Sequence, residues 1–311
     1  MSNTAFVFPG QGSQAVGMGI DLAARSPAAR DTFAEADAAL GFSLSTLLRD
    51  GPSDLLALTE NAQPAIVTVA VAAYRAFLEH KSLVPVATAG HSLGEYAALV
   101  AAGAMTFKDA VVAVRARGRL MQQAVPVGVG AMAAVINLPA ERVTEILAAL
   151  STEAAPVTVA GYNSPEQITI SGTKEAVERA AKALTEAGAR RVLPLKVSAP
   201  FHCPLMRPVE MPLLAVLEPM PLSPMTVPVV TNVTAQPNQD LTRVKPLLIE
   251  QLTAPVRFIE SVAAFRSLGV TRVIEFGAGR TLTGFIKKID PTLAVFNVED
   301  GASLDATLAA F

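Results

Sequence analysis

Gly90-His91-Ser92-Leu93-Gly94 is the segment of this chain whose residue types and spacing come nearest to a reaction. It fits the G-x-S-x-G elbow, in which flanking glycines permit a tight turn that holds the serine hydroxyl out at the end of a strand. Leu93 then starts a helix, where its backbone N–H has no intrahelical acceptor and can stabilise an oxyanion. The plainer reading is a glycine-rich turn carrying an idle serine. A β-rich run before the motif and a helical run after it favour the elbow.

A serine nucleophile needs a base, and the chain has three histidines. His80 lies in the polar helix end Leu78-Glu79-His80-Lys81, where solvation or C-terminal capping explains it. His91 adjoins Ser92, so its ring should turn away from the hydroxyl and bond or pack within the site. His202 remains, in the loop Ser198-Ala199-Pro200-Phe201-His202-Cys203-Pro204, whose prolines fix the backbone and let a side chain be aimed. Cys203 is a rival nucleophile in principle, but adjacent side chains of an extended segment diverge, and it reads as filler.

Residues 108–123 make a helix in which Ala110, Val114, Gly118 and Met121 form an apolar stripe with Arg117 in its middle, while Arg115 and Arg119 fall on the polar side. A buried guanidinium without an anion costs several kcal/mol, on the order given by desolvation, so the interior should contain or receive a carboxylate or phosphate. A salt bridge to a core acid and a ligand site both satisfy that need, and closeness to the elbow favours the ligand. Gly10-Gln11-Gly12-Ser13-Gln14-Ala15 has the letters of a dinucleotide fingerprint, yet residues 31–40 are patterned as helix where a second strand should end in an acid. The preferred alternative is a loop whose Gln11 N–H meets the serine's oxyanion from the other side.

The elements that would position these residues alternate strand and helix. Residues 5–8 read as a strand, 27–40 and 63–78 as helices, 84–88 as a buried strand, and 94–102 as the helix after the elbow. Residues 126–130 look like a hinge. From 131 the order is strand 131–136, helix 140–150, strands 157–161 and 167–171, helix 174–187 and strand 191–197, which is βαββαβ and points to a ferredoxin-like insertion. Strands at 227–230, 273–276 and 293–298 and helices at 281–289 and 304–310 complete the larger part. The expected organisation is α/β, with residues 1–128 and 198–311 forming one domain and 129–197 an inserted subdomain.

Composition removes other classes. The chain has 311 residues, 51% of them hydrophobic, and a net charge of -2, and it lacks tryptophan, so neither a polyphosphate-binding field nor stacking platforms are expected. Residues 62–74 are the longest nearly uncharged stretch, about 13 residues against the roughly 18 to 20 that span a bilayer. One cysteine forbids an internal disulfide, no ligand cluster suggests a metal, and Met1-Ser2-Asn3-Thr4-Ala5 lacks the features of a secretory signal, so a cytoplasmic protein without nucleic-acid or membrane partners is expected.

In the order Gly10 loop, Gly90 elbow, inward Arg117 and Pro200-Phe201-His202 loop, the sequence resembles the malonyl-CoA:acyl carrier protein transacylases over essentially its whole length. Glu275-Phe276-Gly277-Ala278-Gly279 resembles the family's C-terminal glycine loop. The resemblance implies a hydrolase-like parallel-sheet domain carrying the ferredoxin-like insertion, and a malonyl group passing from coenzyme A to Ser92 and on to the phosphopantetheine thiol of an acyl carrier protein. It implies His202 as the base, the Gln251 backbone carbonyl as that histidine's partner in place of a triad acid, and Gln11 and Leu93 as oxyanion donors. Arg117 would hold the malonyl carboxylate. Gln63, His91, Met121, Asn163 and Phe201 would lie along the substrate, with bulky Phe201 leaving little room for an α-methyl group. Cys203 stands where relatives commonly carry serine. No permanently bound cofactor is implied. The acidic carrier calls for a local basic rim, for which Arg190, Arg191, Lys287 and Lys288 are candidates, although solvated charge pairs explain them equally well. Two further readings remain: a serine hydrolase or thioesterase on the same nucleophile, and a non-catalytic module that binds acyl carriers.

Overall fold

The computed structural model describes residues 3–126, 128–195, 197 and 199–311. In chain order its strands are β1 (Thr4–Phe8), β2 (Ala87–Gly90), β3 (Gly130–Ile136), β4 (Val157–Ser164), β5 (Gln167–Thr173), β6 (Arg191–Pro194), β7 (Val229–Val230), β8 (Pro237–Asn238), β9 (Arg272–Phe276) and β10 (Ala294–Val298). They form two sheets. One has six strands in the order β10-β9-β1-β2-β7-β8. Its pairings are parallel except for β7 with β8. The other has four antiparallel strands in the order β4-β5-β3-β6, all contributed by residues 130–194, with helices Ala140–Leu150 and Lys174–Glu186 in the βαββαβ sequence. The fold is therefore the expected hydrolase-like parallel sheet with a ferredoxin-like unit set into it.

Parallel strands buried on both faces need continuous apolar runs, and β1 has all five residues buried. The helix Thr59–Leu78 crosses this core with 16 buried residues. It contains the apolar run 62–74, which is core; among the described residues no helix is long and apolar enough to cross a membrane. Helix Phe107–Ala124 packs beside it, started by the Thr106 side chain, which accepts the Asp109 N–H. Gly118 permits the approach: a Cβ there would lie 2.5 Å from the Thr59 carbonyl oxygen. That contact brings Arg117 alongside Gln63.

Several boundaries differ from expectation, two of them for a clear local reason. The strand expected over 84–88 is β2, Ala87–Gly90, because Pro85 cannot donate to a ladder and Val84 is 66% exposed. Its register with β1 runs from Ala5 opposite Ala87 to Phe8 opposite Gly90, so the first glycine of the elbow is still sheet. The closing helix starts at Gly301, not 304, since Asp300 and Ser303 form a capping box. Helices at Leu44–Asp50, Glu210–Leu217, Leu241–Glu250 and Phe258–Ser267 have no counterpart in the sequence reading. The hinge expected at 126–130 contains Val127, and the end of the strand expected at 191–197 contains Lys196; both residues, with Ser198, lie outside the described residues.

Candidate active site

Ser92 has φ +53°, in the left-handed region, directly after β2. Close packing enforces the turn. A Cβ on Gly90 would fall 2.0 Å from the Gly94 carbonyl oxygen, and one on Gly94 would fall 2.2 Å from that of Phe8. The His91 N–H donates to Phe8 O (3.0 Å), pinning the turn to the end of β1. Asn232 holds it from the far side: its Oδ1 accepts the Ser92 N–H at 2.6 Å and its amide donates to Gly90 O at 2.5 Å. A strained conformation on a non-glycine residue persists only when its surroundings over-determine it, as here.

His202 also has positive φ (+57°), in the loop tied by the Cys203 thiol donating to Pro200 O at 3.1 Å. Its Nε2 lies 2.7 Å from Ser92 Oγ, and its Nδ1 lies 2.8 Å from Gln251 O and 3.2 Å from Ala254 O. Carbonyls only accept, so Nδ1 carries the hydrogen and Nε2 presents a lone pair to the hydroxyl. Burial, reinforced by the Arg117 charge, pulls the His202 pKa down to about 3. His91 turns away from Ser92 as expected: its Nε2 meets Asn163 Oδ1 at 2.9 Å, and burial holds its pKa below the ordinary histidine value. His80 is exposed at its helix end.

Arg117 is buried, 1% exposed, and reaches the Ser92 hydroxyl. Its Nη1 donates to Gln63 Oε1 at 2.8 Å, and its Nη2 donates to Ser92 Oγ at 3.1 Å and to Gln251 Oε1 at 3.0 Å. Nε has no acceptor. None of these partners is charged, so the guanidinium is hydrogen-bonded without being neutralised. Desolvation lowers its pKa, opposed by the fields of Tyr96 and Glu95.

Glu95, which sequence reasoning passed over, supplies the nearby negative charge. It is buried three residues after Ser92 and accepts from the Asn232 N–H (2.9 Å) and from Gln251 Nε2 (2.8 Å). Burial raises its pKa to about 7. It touches neither His202 nor Arg117 among the described residues; the Gln251 side chain stands between acid and guanidinium, and donates as well to Ser92 O at 3.1 Å. Gln251 was singled out for its backbone carbonyl alone, and its amide is as deeply involved. A signal for Glu95 did exist: one acid in the otherwise apolar helix Gly94–Ala101 is the same anomaly that marked Arg117.

These groups open into a cleft of about 220 Å³ between the two sheets. Gln11, Gln63, His91, Asn163 and Phe201 line it with Ser92, Arg117 and His202. Met132, Leu195 and Val197, and Thr281, Leu282 and Phe285 near the C-terminus, complete much of the lining. Met121 lies behind the cleft, its sulfur accepting from Gln63 Nε2 at 3.6 Å, and is outside the lining. The backbone N–H groups of Gln11 and Leu93 have no acceptor among the described residues. Strand β4 is tied to the loop after Gln251, with Val256 N–H donating to Ala160 O and Tyr162 N–H to Val256 O, which fixes the cleft's two sides relative to each other. Lys288 pairs with Glu166 at 2.6 Å, while Arg190, Arg191 and Lys287 are exposed and form no ion pair among the described residues.

Residues 5–289 match the acyl transferase domain family. The malonyl CoA-acyl carrier protein transacylase of Bacillus subtilis (strain 168) is 46% identical over 308 residues, 99% of this chain and 97% of that protein. The chain belongs to the malonyl CoA-acyl carrier protein transacylase family. Solved structures agree. A malonyl-transacylase in complex with a type II PKS acyl-carrier protein superposes with a TM-score of 0.96 at 44% identity, covering 100% of each chain. An acyl carrier protein S-malonyltransferase from Vibrio cholerae gives 0.95 at 45% identity, covering 98% of this chain and 100% of that one. The backbone carbonyls of Gln251 and Ala254 stand at His202 Nδ1, where a serine hydrolase triad has a carboxylate.

Proposed function

We propose that this protein transfers a malonyl group from malonyl-CoA to the phosphopantetheine thiol of an acyl carrier protein, in extender-unit supply for fatty acid or polyketide synthesis, through an ester on Ser92. The observation that carries the reading is a buried, un-neutralised guanidinium within 3.1 Å of the nucleophilic oxygen. His202 Nε2 takes the Ser92 proton as Oγ attacks the thioester carbonyl, and returns it to the departing thiolate. Gln11 and Leu93 N–H groups hold the oxyanion. Arg117 grips the free carboxylate, and its charge-assisted bonds fix the acyl group for the second exchange. The cleft accommodates a three-carbon acyl group and the start of a pantetheine arm, leaving the coenzyme A nucleotide outside. Phe201 narrows the space beside the α-carbon. Gln63 and Asn163 act by holding Arg117 and His91. Coenzyme A and the carrier prosthetic group enter as substrates, no resident cofactor is invoked, and the reaction is placed in the cytoplasm. The chain is taken to divide at 128/129 and 197/198. Incubation with malonyl-CoA followed by intact-mass measurement tests the whole reading.

The pH dependence has a definite sign. With its pKa near 3, His202 is neutral and competent above that value and loses the lone pair only as pH falls through it. The kcat/KM for malonyl-CoA, which reports the free enzyme, should therefore keep most of its neutral value at pH 5. An ordinary histidine would retain about 3% there. An acid limb centred near 6.5 that persists in Glu95→Gln contradicts this environment for His202, whereas one that the variant removes belongs to Glu95, whose own pKa lies at about 7.

The carrier docks on the basic residues flanking the cleft mouth. Arg191 stands four residues before Leu195 of the cleft wall, about 13 Å along the strand direction, and Lys287 stands two residues beyond Phe285. Lys288, paired with Glu166, has less charge to offer. Reversing Arg190 and Arg191, or Lys287, to glutamate should raise the KM for the carrier several-fold and flatten its salt dependence while coenzyme A kinetics stay constant. Unchanged carrier kinetics would remove these residues from the interface.

A further inference from the structure

The contact between Arg117 and Ser92 has a second meaning, which rests on the reading above that Arg117 receives the malonyl carboxylate. Ser92 Oγ donates its hydrogen to His202 Nε2 at 2.7 Å and accepts one from Arg117 Nη2 at 3.1 Å. The guanidinium thus occupies a lone pair on the atom that must attack. A hydrogen bond from a cation withdraws electron density from that oxygen, and the same charge opposes formation of the imidazolium on which proton removal depends.

We propose that Arg117 caps the nucleophile in the resting enzyme, and that the carboxylate of the incoming acyl group removes the cap. The bidentate edge of the guanidinium, Nε with Nη2, is arranged for such an exchange. Among the described residues Nε is buried and lacks an acceptor, and Nη2 is held only by the neutral oxygens of Ser92 and Gln251. A carboxylate offers that edge two charged acceptors, so the exchange runs downhill. Nη2 leaves Oγ, the positive charge is neutralised, and His202 recovers basicity. Burial and the Arg117 field, which together depress the histidine's pKa in the free enzyme, give the direction of that recovery. The chemistry then proceeds with balanced atoms. The Oγ–H proton passes to His202 Nε2, the Oγ–carbonyl carbon bond forms, the carbon–sulfur bond breaks, and coenzyme A leaves as thiol after taking the proton back. A neutral acyl group makes no such exchange. Selectivity for malonyl over acetyl then has two sources, a grip on the bound group and an activation that only a carboxylate triggers.

The two sources separate when the carboxylate is supplied apart from the acyl group. Acetyl-CoA with formate presents the parts of a malonyl thioester as two molecules. Single-turnover acetylation of Ser92, read by intact mass after acid quench, is followed against formate concentration with sodium chloride matching ionic strength. The cap predicts a saturable rise, on the order of tenfold for one charged hydrogen bond lifted from the nucleophile. Arg117→Ala should start at or above the uncapped rate and not respond to formate. Wild-type acetylation that stays level or only falls with formate overturns the cap, and so does formate that fails to compete with malonyl-CoA. The malonyl-to-acetyl rate ratio is measured in the same preparations. If it is high in wild type and collapses in Arg117→Ala while formate does nothing, the carboxylate grip stands and the cap alone fails. A ratio that Arg117→Ala leaves intact removes the grip itself.

Discussion

Arg117→Ala should lower kcat/KM for malonyl-CoA by about 10²- to 10³-fold, the range for truncating one partner of a buried charge-assisted pair. It should leave acetyl transfer at or above the wild-type rate. The asymmetry follows from what the side chain touches. Two of its three bonds go to Gln63 and Gln251, and the third goes to the nucleophile itself, so removing it takes away the carboxylate's partner without removing base, nucleophile or oxyanion donors. Truncation also leaves Glu95 buried beside an amide with no cation beyond it, which lowers stability, so a melting curve must accompany the kinetics. Arg117→Lys serves as the second variant, keeping charge but losing the fork, and should fall between the two. Equal losses for malonyl and acetyl transfer would make the arginine a structural cation.

His202→Ala should slow acylation of Ser92 by about two to four orders of magnitude, the worth of a positioned base. The residue removed is the only histidine within reach of Oγ among the described residues, at 2.7 Å, and no carboxylate stands ready to replace it. Rapid-quench measurement of the acyl-enzyme isolates this step from transfer to the carrier. A rate within tenfold of wild type would pass the role to His91, against the 2.9 Å contact that directs that ring to Asn163.

The parts of the site legible in the sequence were those whose residue type conflicts with its surroundings or whose spacing forces a backbone. Gly90 and Gly94 announce a turn that excludes any Cβ, and Arg117 is a charge on an apolar stripe. His202 followed by elimination among three histidines. Gln251 as the histidine's partner came from the family resemblance, since a backbone carbonyl leaves no mark in residue types. Asn232 was invisible for a related reason. It lies 140 residues from Ser92 in a short strand-turn segment whose letters suggest a turn, and only the tertiary fold shows that its amide holds the elbow. Glu95 carries a legible mark, a lone acid in an apolar helix, but the partners that give it a place in the site, Asn232 and Gln251, lie 137 and 156 residues away and leave no local pattern. Across the fold, every element of the alternating unit from β3 to β6 was read with its start within one residue, because its amphipathic helices and strands follow clean periods, although β4 runs three residues further and β6 ends three sooner than expected. The helices between residues 204 and 267 went unread: Pro-rich runs and internal Pro246 disguise them, and Glu210–Leu217 is too uniformly apolar to show a helical period.

The central claim is that a malonyl group rests on Ser92 long enough to be handed to a thiol. Mixing the protein with malonyl-CoA and recording its intact mass tests this most directly. The account predicts the addition of one malonyl group, mapped to Ser92 and absent from Ser92→Ala, that survives in buffer and discharges when phosphopantetheinylated acyl carrier protein is added. Absence of the adduct, or its loss to water as fast without the carrier as with it, would contradict the account.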